Sequence, residues 1–574
     1  MPSTHAVKEG SWACRGGHPK EKQIGRFVKN LLRFLRLSQV KRSSLSHRTV
    51  LALRDWHSYC TIDPAATRII CHILVRIAIT RYLVLIVELN SLHRRTLSSM
   101  RRNYRTNSEP ELIDTHHKAL DVNLDPRRYG TFAEIGAGQE VVRWFFRVGG
   151  GAGTIAKSIS AYDMKVSDAI YGRASRYVCR ERLQAMLDYE HRLNLDRLRE
   201  VRGDTTAFFA FADTVSARNF KGTNECHGWM GIKFQAHPRD EDSQIIIHVR
   251  MLDVEAALQQ EALGIVGVNL VYGACALSHE PDQLIVSLLD GLSTSRIEID
   301  MIEFSGIAFR HVDNRLMSLK LVELGLSGAA MFAADGEVLM PSEFMYKKPI
   351  LVERGSFRPV CNVNLDMLRC AYEKFSQLPS VQGKEVIQVM EVTMSNLKAG
   401  GEIDLRDFLA RADVMSACGM PVLISDYSEY YRLAAYLSRY TKESIAITMG
   451  AGSLQELFDE KYYTALEGGV LESFGRLFKN DLKIYCYPLL NQTTGELMTC
   501  DNLQIAPDLR KLYGYLLDRG GINALDNYSN DCLRIFSREI LKKIKSGDAS
   551  WESMVPVTVA DIIKSKSYFG YEAK

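Results

Sequence analysis

The sequence predicts an α/β fold built from Rossmann-like, doubly wound and mostly parallel sheets, on three observations. Near-continuous apolar, β-branched runs such as "PILVE", "VIQVMEVT", "PVLISD" and "SIAITM" read as strands buried on both faces. Amphipathic helical segments separate them, as crossover connections between parallel strands require. Glycine corners follow two of the strands, "EIGAGQE" at 134–140 and "TMGAGSL" at 448–454. A (β/α)8-like barrel with N-terminal additions is the alternative, because eight such strands could close on themselves.

Taken in order, "TFAEI" is a strand and "GQEVVRWFFRV" a helix that starts directly after the glycines. Glycines 149, 150, 151 and 153 end it. "VCRERLQAMLDYEHRLNLDRLREV" carries apolar residues at helical spacing. "TAFFAFADT", "WMGIKFQ" and "SQIIIHVRML" read as strands, the last two joined as a hairpin through "AHPRDED". "GVNLVYGA", "RIEIDMIEF", "GAAMFAA" and "LKIYCYP" join the strand set, with helices such as "NLDMLRCAYEKFSQL" and "SEYYRLAAYLSRYT" between strands. The C-terminal part turns more helical. These changes divide the chain into a basic extension 1–110, an α/β domain 111–262, a second α/β domain 263–480 and a mostly helical region 481–574.

The chain has 574 residues and a net charge of +4, which hides an asymmetry. Residues 1–110 carry 20 Lys and Arg against 6 Asp and Glu, and the rest carry 52 against 62. The body is mildly acidic, which gives no basis for nucleic-acid binding. The 12 cysteines of the whole chain are scattered singly, without CxxC pairs or zinc-ligand spacing, as suits a reducing, cytoplasmic setting and no metal site. The Arg- and Ser-rich extension has the composition of an organelle transit peptide. Its apolar run Ile69–Leu89 has the length of a span, but Arg76 and Arg81 interrupt it. Each arginine would cost roughly 2.5–3.5 kcal/mol near a bilayer centre, so stable membrane insertion is not expected.

Several groupings could carry chemistry. Gly136 and Gly138 match the first two glycines of a dinucleotide fingerprint, with Val141 in place of the third. Gly450 and Gly452 repeat the device. "GAGTIAKS" at 151–158 approaches a phosphate-binding loop, with Ala156 where the glycine before Lys157 belongs. The loop "KGTNECHGW" groups Asn224, Glu225, Cys226 and His227 between two strands, with Asn224, Glu225 and His227 suited to polar or acid–base roles. Glu303 and Asp313 flank the end of a strong strand and are the remaining catalytic candidates, Asp313 also being placed to cap the next helix. Lys347, Lys348, Arg354 and Arg358 surround one strand and could clamp a phosphate or carboxylate.

From "HHKALDVNLDPRRYGTFAEIGAGQEVVRWFFRVGGGAGTIAKSISAYDM" onward the chain resembles a mainly bacterial family of uncharacterised proteins. "NECHGWMGIKFQ", "IEIDMIEFSG", "YKKPILVERGSFRP" and "LEGGVLESFGRLF" also carry the resemblance, over roughly residues 111–574. Members often bear the names nicotinate-nucleotide adenylyltransferase or TonB-dependent receptor. The first implies HxGH or TxGH and Ser-Thr-x-x-Arg motifs; neither His motif is present, and "STSR" at 293–296 is a poor match to the second. The second implies an antiparallel outer-membrane barrel, which strands alternating with helices exclude. The reading that follows is an enzyme binding a nucleotide or other phosphorylated small molecule, with nucleotidyl transfer as a sub-case. A non-catalytic scaffold or regulatory protein with an enzyme-like fold is the alternative.

Overall fold

The computed structural model describes residues 113–491 and 494–572, within the second of the chain's two units, Leu112–Lys574. The basic extension and its run Ile69–Leu89 lie outside the described residues. Among the described residues no helix is long and apolar enough to cross a membrane.

Six strands make the first sheet: β1 (Arg128–Gly136), β2 (Ile155–Ile159), β3 (Ala207–Ser216), β4 (His227–Gln235), β5 (Asp242–Met251) and β6 (Ile297–Gly306). Their order is β2-β1-β3-β4-β5-β6. β1 runs parallel to both neighbours, and β3 to β6 form antiparallel pairs. The "AHPRDED" link is too short for a crossover and makes the expected hairpin. The sheet is therefore mixed, and the mostly parallel expectation holds only in the second half.

"GVNLVYGA" is not a strand. It forms the interior of the helix Ala256–Ala276, whose side chains from Ala262 to Val271 are buried without a break. A helix buried on all sides loses its polar stripe, so its apolar run imitates a strand. The expected boundary at 262/263 falls inside this helix. β6 then still pairs with β5, and the chain changes sheets between Gly306 and Ala329.

The second sheet holds β7 (Ala329–Phe332), β8 (Val338–Leu339), β9 (Ile350–Arg354), β10 (Ile387–Thr393), β11 (Val422–Ser425), β12 (Ile445–Gly450) and β13 (Lys483–Tyr487). After a small ribbon of β14 (Leu489–Leu490) and β15 (Leu497–Met498), β16 (Ile522–Ala524) completes it. The order is β16-β13-β12-β9-β10-β11-β7-β8, with β7 antiparallel to β11 and β8 antiparallel to β7. The parallel strands β9, β10, β11 run outward on one side of β9, and β12, β13, β16 run outward on the other. This is the doubly wound arrangement. The sheet is open, and no closed barrel forms among the described residues.

Alternate residues of each strand face separate cores. Leu351, Met390, Val392 and Ile424 pack with the helices Asn362–Ser376 and Leu405–Ser416. Ile350, Val352, Val389 and Leu423 pack with Tyr430–Tyr440, Ala451–Leu457 and Gly469–Leu477. Helices that follow β9 and β10 thus cover one face, and those that follow β11 and β12 cover the other, as right-handed crossovers demand.

An ion pair ties three central strands at their C-terminal ends. Arg354, at the end of β9, donates from Nε and Nη2 to the fully buried Glu391 carboxylate of β10, at 2.8 and 2.9 Å. Its other donors reach the carbonyls of Tyr427 and Ser428 beyond β11, and Ser425 Oγ donates to Glu391 at 2.5 Å. Arg354→Met would leave this carboxylate buried without its counter-charge. The expected loss is roughly 3–5 kcal/mol in chemical denaturation.

Candidate functional site

The first glycine corner is closed by the protein itself. Gly136 has φ +76°, and a Cβ there would lie 2.2 Å from the Val215 carbonyl oxygen. A Cβ on Gly138 would lie 2.0 Å from Asp213 Oδ1. Both glycines are required by the turn and its packing on β3. The amides of Val141 and Val142, which open the helix Val141–Arg147, donate to Glu134 Oε1 and Oε2 at 2.9 and 3.2 Å. A carboxylate from β1 therefore occupies the position where a bound phosphate would sit. Burial pushes Glu134 up to about 8, and burial followed by the Glu134 charge raises Asp213, its partner on β3.

The near phosphate loop is likewise structural. Lys157 lies within β2, not ahead of a helix, and pairs with the buried Glu190 at 2.5 Å. Asp313 caps the helix Asn314–Glu323 by accepting from the Arg315 amide at 2.9 Å, and Arg315 bridges it to Asp413. Glu303 pairs with Arg180 at 2.6 Å. Lys348 pairs with Glu385 at 3.1 Å and Arg358 with Asp407 at 2.7 Å, while Lys347 lies over the Tyr346 ring at 5.0 Å. With Arg354 held by Glu391, three of the four basic residues of the expected clamp face carboxylates of their own.

Gly450 and Gly452 differ. They end β12 and begin the next helix, beside β9, where the direction of strand progression reverses. Gly450 has an ordinary φ of −72°, and nothing lies within 4 Å of a Cβ built on it. A Cβ on Gly452 would meet only Leu489 Cδ2, at 3.5 Å. Neither backbone strain nor packing accounts for these glycines. They lie at the C-terminal end of β12, beside β9. Glu353 stands one residue before the end of β9, fully buried. Asn364 Nδ2 donates to its Oε1 at 2.6 Å, and Oε2 has no partner. Burial raises this carboxyl to about 8.

The loop residues 224–227 divide in role. Asn224 staples the β3–β4 connection, accepting from the Asn219 amide at 2.8 Å and donating to Ala217 O at 2.7 Å. Glu225 is exposed. His227 starts β4 and joins two residues that the sequence reading missed. Its Nδ1 lies 3.0 Å from His248 Nε2, and His248 Nδ1 lies 2.6 Å from Asp300 Oδ1. His248 and Asp300 are buried, and His227 is half-buried. Their sequence signal was a polar residue with an apolar neighbour on each side, His248 in "QIIIHVRML" and Asp300 in "IEIDMIEF". A separate surface depression of about 210 Å³ is lined by Asp188, His191, Lys233 and Asp242, side chains that pair with one another. Among the described residues no group of three His, Cys, Asp or Glu is arranged to hold a metal.

No family model matches the chain, and no curated protein matches it. Solved structures that resemble part of it include a competence/damage-inducible protein from Agrobacterium tumefaciens. Identity there is 13% and the TM-score 0.22, over 29% of this chain and 99% of that one. A competence or damage-inducible protein from Enterobacter asburiae gives 13% and 0.20, over 28% and 98%. A competence-damaged protein (CinA) superfamily member from Escherichia coli gives 12% and 0.20, over 30% and 94%. Scores this low carry no argument about what the chain does.

Two predictions separate the corners and test the buried carboxyl. In thermal melts Gly136→Ala lowers stability by more than about 1 kcal/mol, whereas Gly450→Ala leaves it unchanged or raises it by up to about 1 kcal/mol. Folded Glu353 keeps its proton up to about pH 8, whereas the unfolded carboxyl loses it near its ordinary value of 4.5. Its contribution to stability therefore falls as pH rises through that window. Glu353→Gln, which keeps the oxygen that accepts from Asn364, is expected to lose less stability than the parent protein across the same window in urea titrations.

Proposed function

We propose that the protein is an enzyme that binds a nucleotide or other phosphorylated small molecule in the crevice outside the C-terminal ends of β9 and β12. The carrying observation is the strand order of the second sheet, which reverses at this place. In open α/β sheets such a reversal leaves a crevice that connecting loops do not fill, and ligands bind there. Gly450 and Gly452 support the reading, because the open space beside them lets a ligand approach the backbone. On this reading the loop 355–361 after β9 would form the opposite wall.

The alternative, a scaffold with an enzyme-like fold, draws on one observation. The amides of the first corner and the cations Lys348, Arg354 and Arg358 are already engaged by protein carboxylates. On the ligand-binding reading these groups are structural, and recognition rests on backbone groups at the crevice. Nucleotidyl transfer, the sub-case that the family resemblance implies, would require the bound phosphates to lie over Gly450.

A thermal-shift screen of the full chain against mono- and dinucleotides separates the readings. A nucleotide present at 100 times its dissociation constant adds about 2.7 kcal/mol of stability. The expected result is a shift with at least one nucleotide, lost in Gly450→Val, which melts like the parent without ligand. No shift with any nucleotide favours the scaffold.

A further inference from the structure

We propose that His227, His248 and Asp300 form a proton relay ending in a general-base site for an anionic small molecule, separate from the crevice of the second sheet. The hydrogen-bonded chain fixes its own direction. A carboxylate only accepts, so His248 Nδ1–H donates to Asp300 Oδ1, at 2.6 Å. His248 Nε2 must then accept, and His227 Nδ1–H donates to it, at 3.0 Å. That leaves the lone pair of His227 on Nε2, at the half-buried end of the chain. When a bound group gives a proton to Nε2, the Nδ1 proton of His227 passes to His248 Nε2. The positive charge then rests on His248, against the Asp300 carboxylate. One proton enters and none is lost.

The frame around this chain is built and incompletely satisfied. β4, β5 and β6 bring its members together: His248 faces Trp229, whose ring lies 4.9 Å away, and Asp300 is the extra residue where the β5–β6 register shifts. Arg250, opposite His227 on β5, pairs with Glu298 of β6 at 2.7 Å. Tyr436 and Tyr440, on the last turns of the helix Tyr430–Tyr440, are buried, and both feel the Asp300 charge. Their hydroxyls and Asp300 Oδ2 have no hydrogen-bond partner. Unpartnered buried polar atoms next to an oriented imidazole chain are costly for folding alone, and they suit a site that receives a polar molecule. These last helical turns lead into the start of β12, at the edge of the second sheet opposite to the crevice.

The charge around the open end is mixed: Arg250 is held by Glu298, Glu225 and Glu343 are acidic neighbours, and Arg176 is the cation placed to meet an anion. Arg250 and Arg176 both act on His227 and disfavour its protonation, as does His248; Asp300 opposes them. Arg176 is exposed and stacks on the Tyr346 ring at 5.1 Å, and Glu225 is the acidic neighbour in the loop. Burial, ahead of these charges, lowers His227 to about 4, so its ring stays neutral and keeps its lone pair at neutral pH.

Carbethoxylation of the full chain by diethyl pyrocarbonate, followed by peptide mass analysis, tests this, because the reagent consumes the neutral imidazole lone pair. An ordinary histidine slows roughly twentyfold between about pH 7 and about pH 5. His227 is expected to change less than about twofold over that range, and to be protected by inorganic phosphate or by succinate. Asp300→Asn, checked for an unchanged fold by circular dichroism, frees the His248 tautomer. His248 Nε2–H can then donate to His227 Nδ1, which places the His227 proton on Nε2, so His227 is expected to react more slowly at both pH values while its pH dependence stays flat. Imidazole nitrogen shifts in the labelled parent protein supply a second reading, with both rings in the Nδ1–H tautomer. An unreactive His227, ordinary pH dependence in the parent, indifference to both anions, or the opposite tautomer at either ring would each overturn the proposal.

Discussion

The handedness of the parallel crossover governs this molecule. A strand, helix and parallel strand connect in the right-handed sense, so the face on which a helix lies decides which side of β9 the next strand occupies. With the helices after β9 and β10 on one face, β10 and β11 are laid down in one direction. The helix Tyr430–Tyr440 then carries the chain across the other face, and β12 pairs on the free side of β9. That single change of face places the reversal of strand order between β9 and β12. It also holds the last turns of the same helix over the polar cluster of the first sheet.

Buried carboxylates form a second level of organisation. Glu134 caps a helix from beneath, Glu391 holds Arg354, Glu190 holds Lys157 and Asp413 holds Arg315. Each takes up amides or cations that would otherwise present an anion site. Charge left buried without a partner is costly. The pattern explains why a phosphate-binding reading of these segments, reasonable from residue types, does not describe their geometry. Glu353 and the Asp300–His248–His227 chain each retain a buried oxygen without a partner, as does Asp213 beside the first corner.

The second sheet was largely legible in the sequence. "PILVE", "VIQVMEVT", "PVLISD" and "SIAITM" are β9 to β12 because short β-branched runs between amphipathic helices admit few other structures. The antiparallel half was partly legible, since "AHPRDED" signals a hairpin while the other pairings depend on tertiary contacts. "GVNLVYGA" misled because complete burial removes helical periodicity. At the sites, His227 could be named from its loop. His248 and Asp300 could not be joined to it, since 21 and 52 residues separate the members of each bonded pair. The two GAG corners are alike in sequence, and they part only when the atoms around each glycine are known.

Hydrogen exchange across the full chain, with and without each nucleotide of a panel, tests the central claim most directly. Slowed exchange confined to residues 354–361 and 449–455, on both sides of the β9–β12 crevice, is the predicted result. Protection centred on residues 134–142, or no protection with any nucleotide, would contradict it.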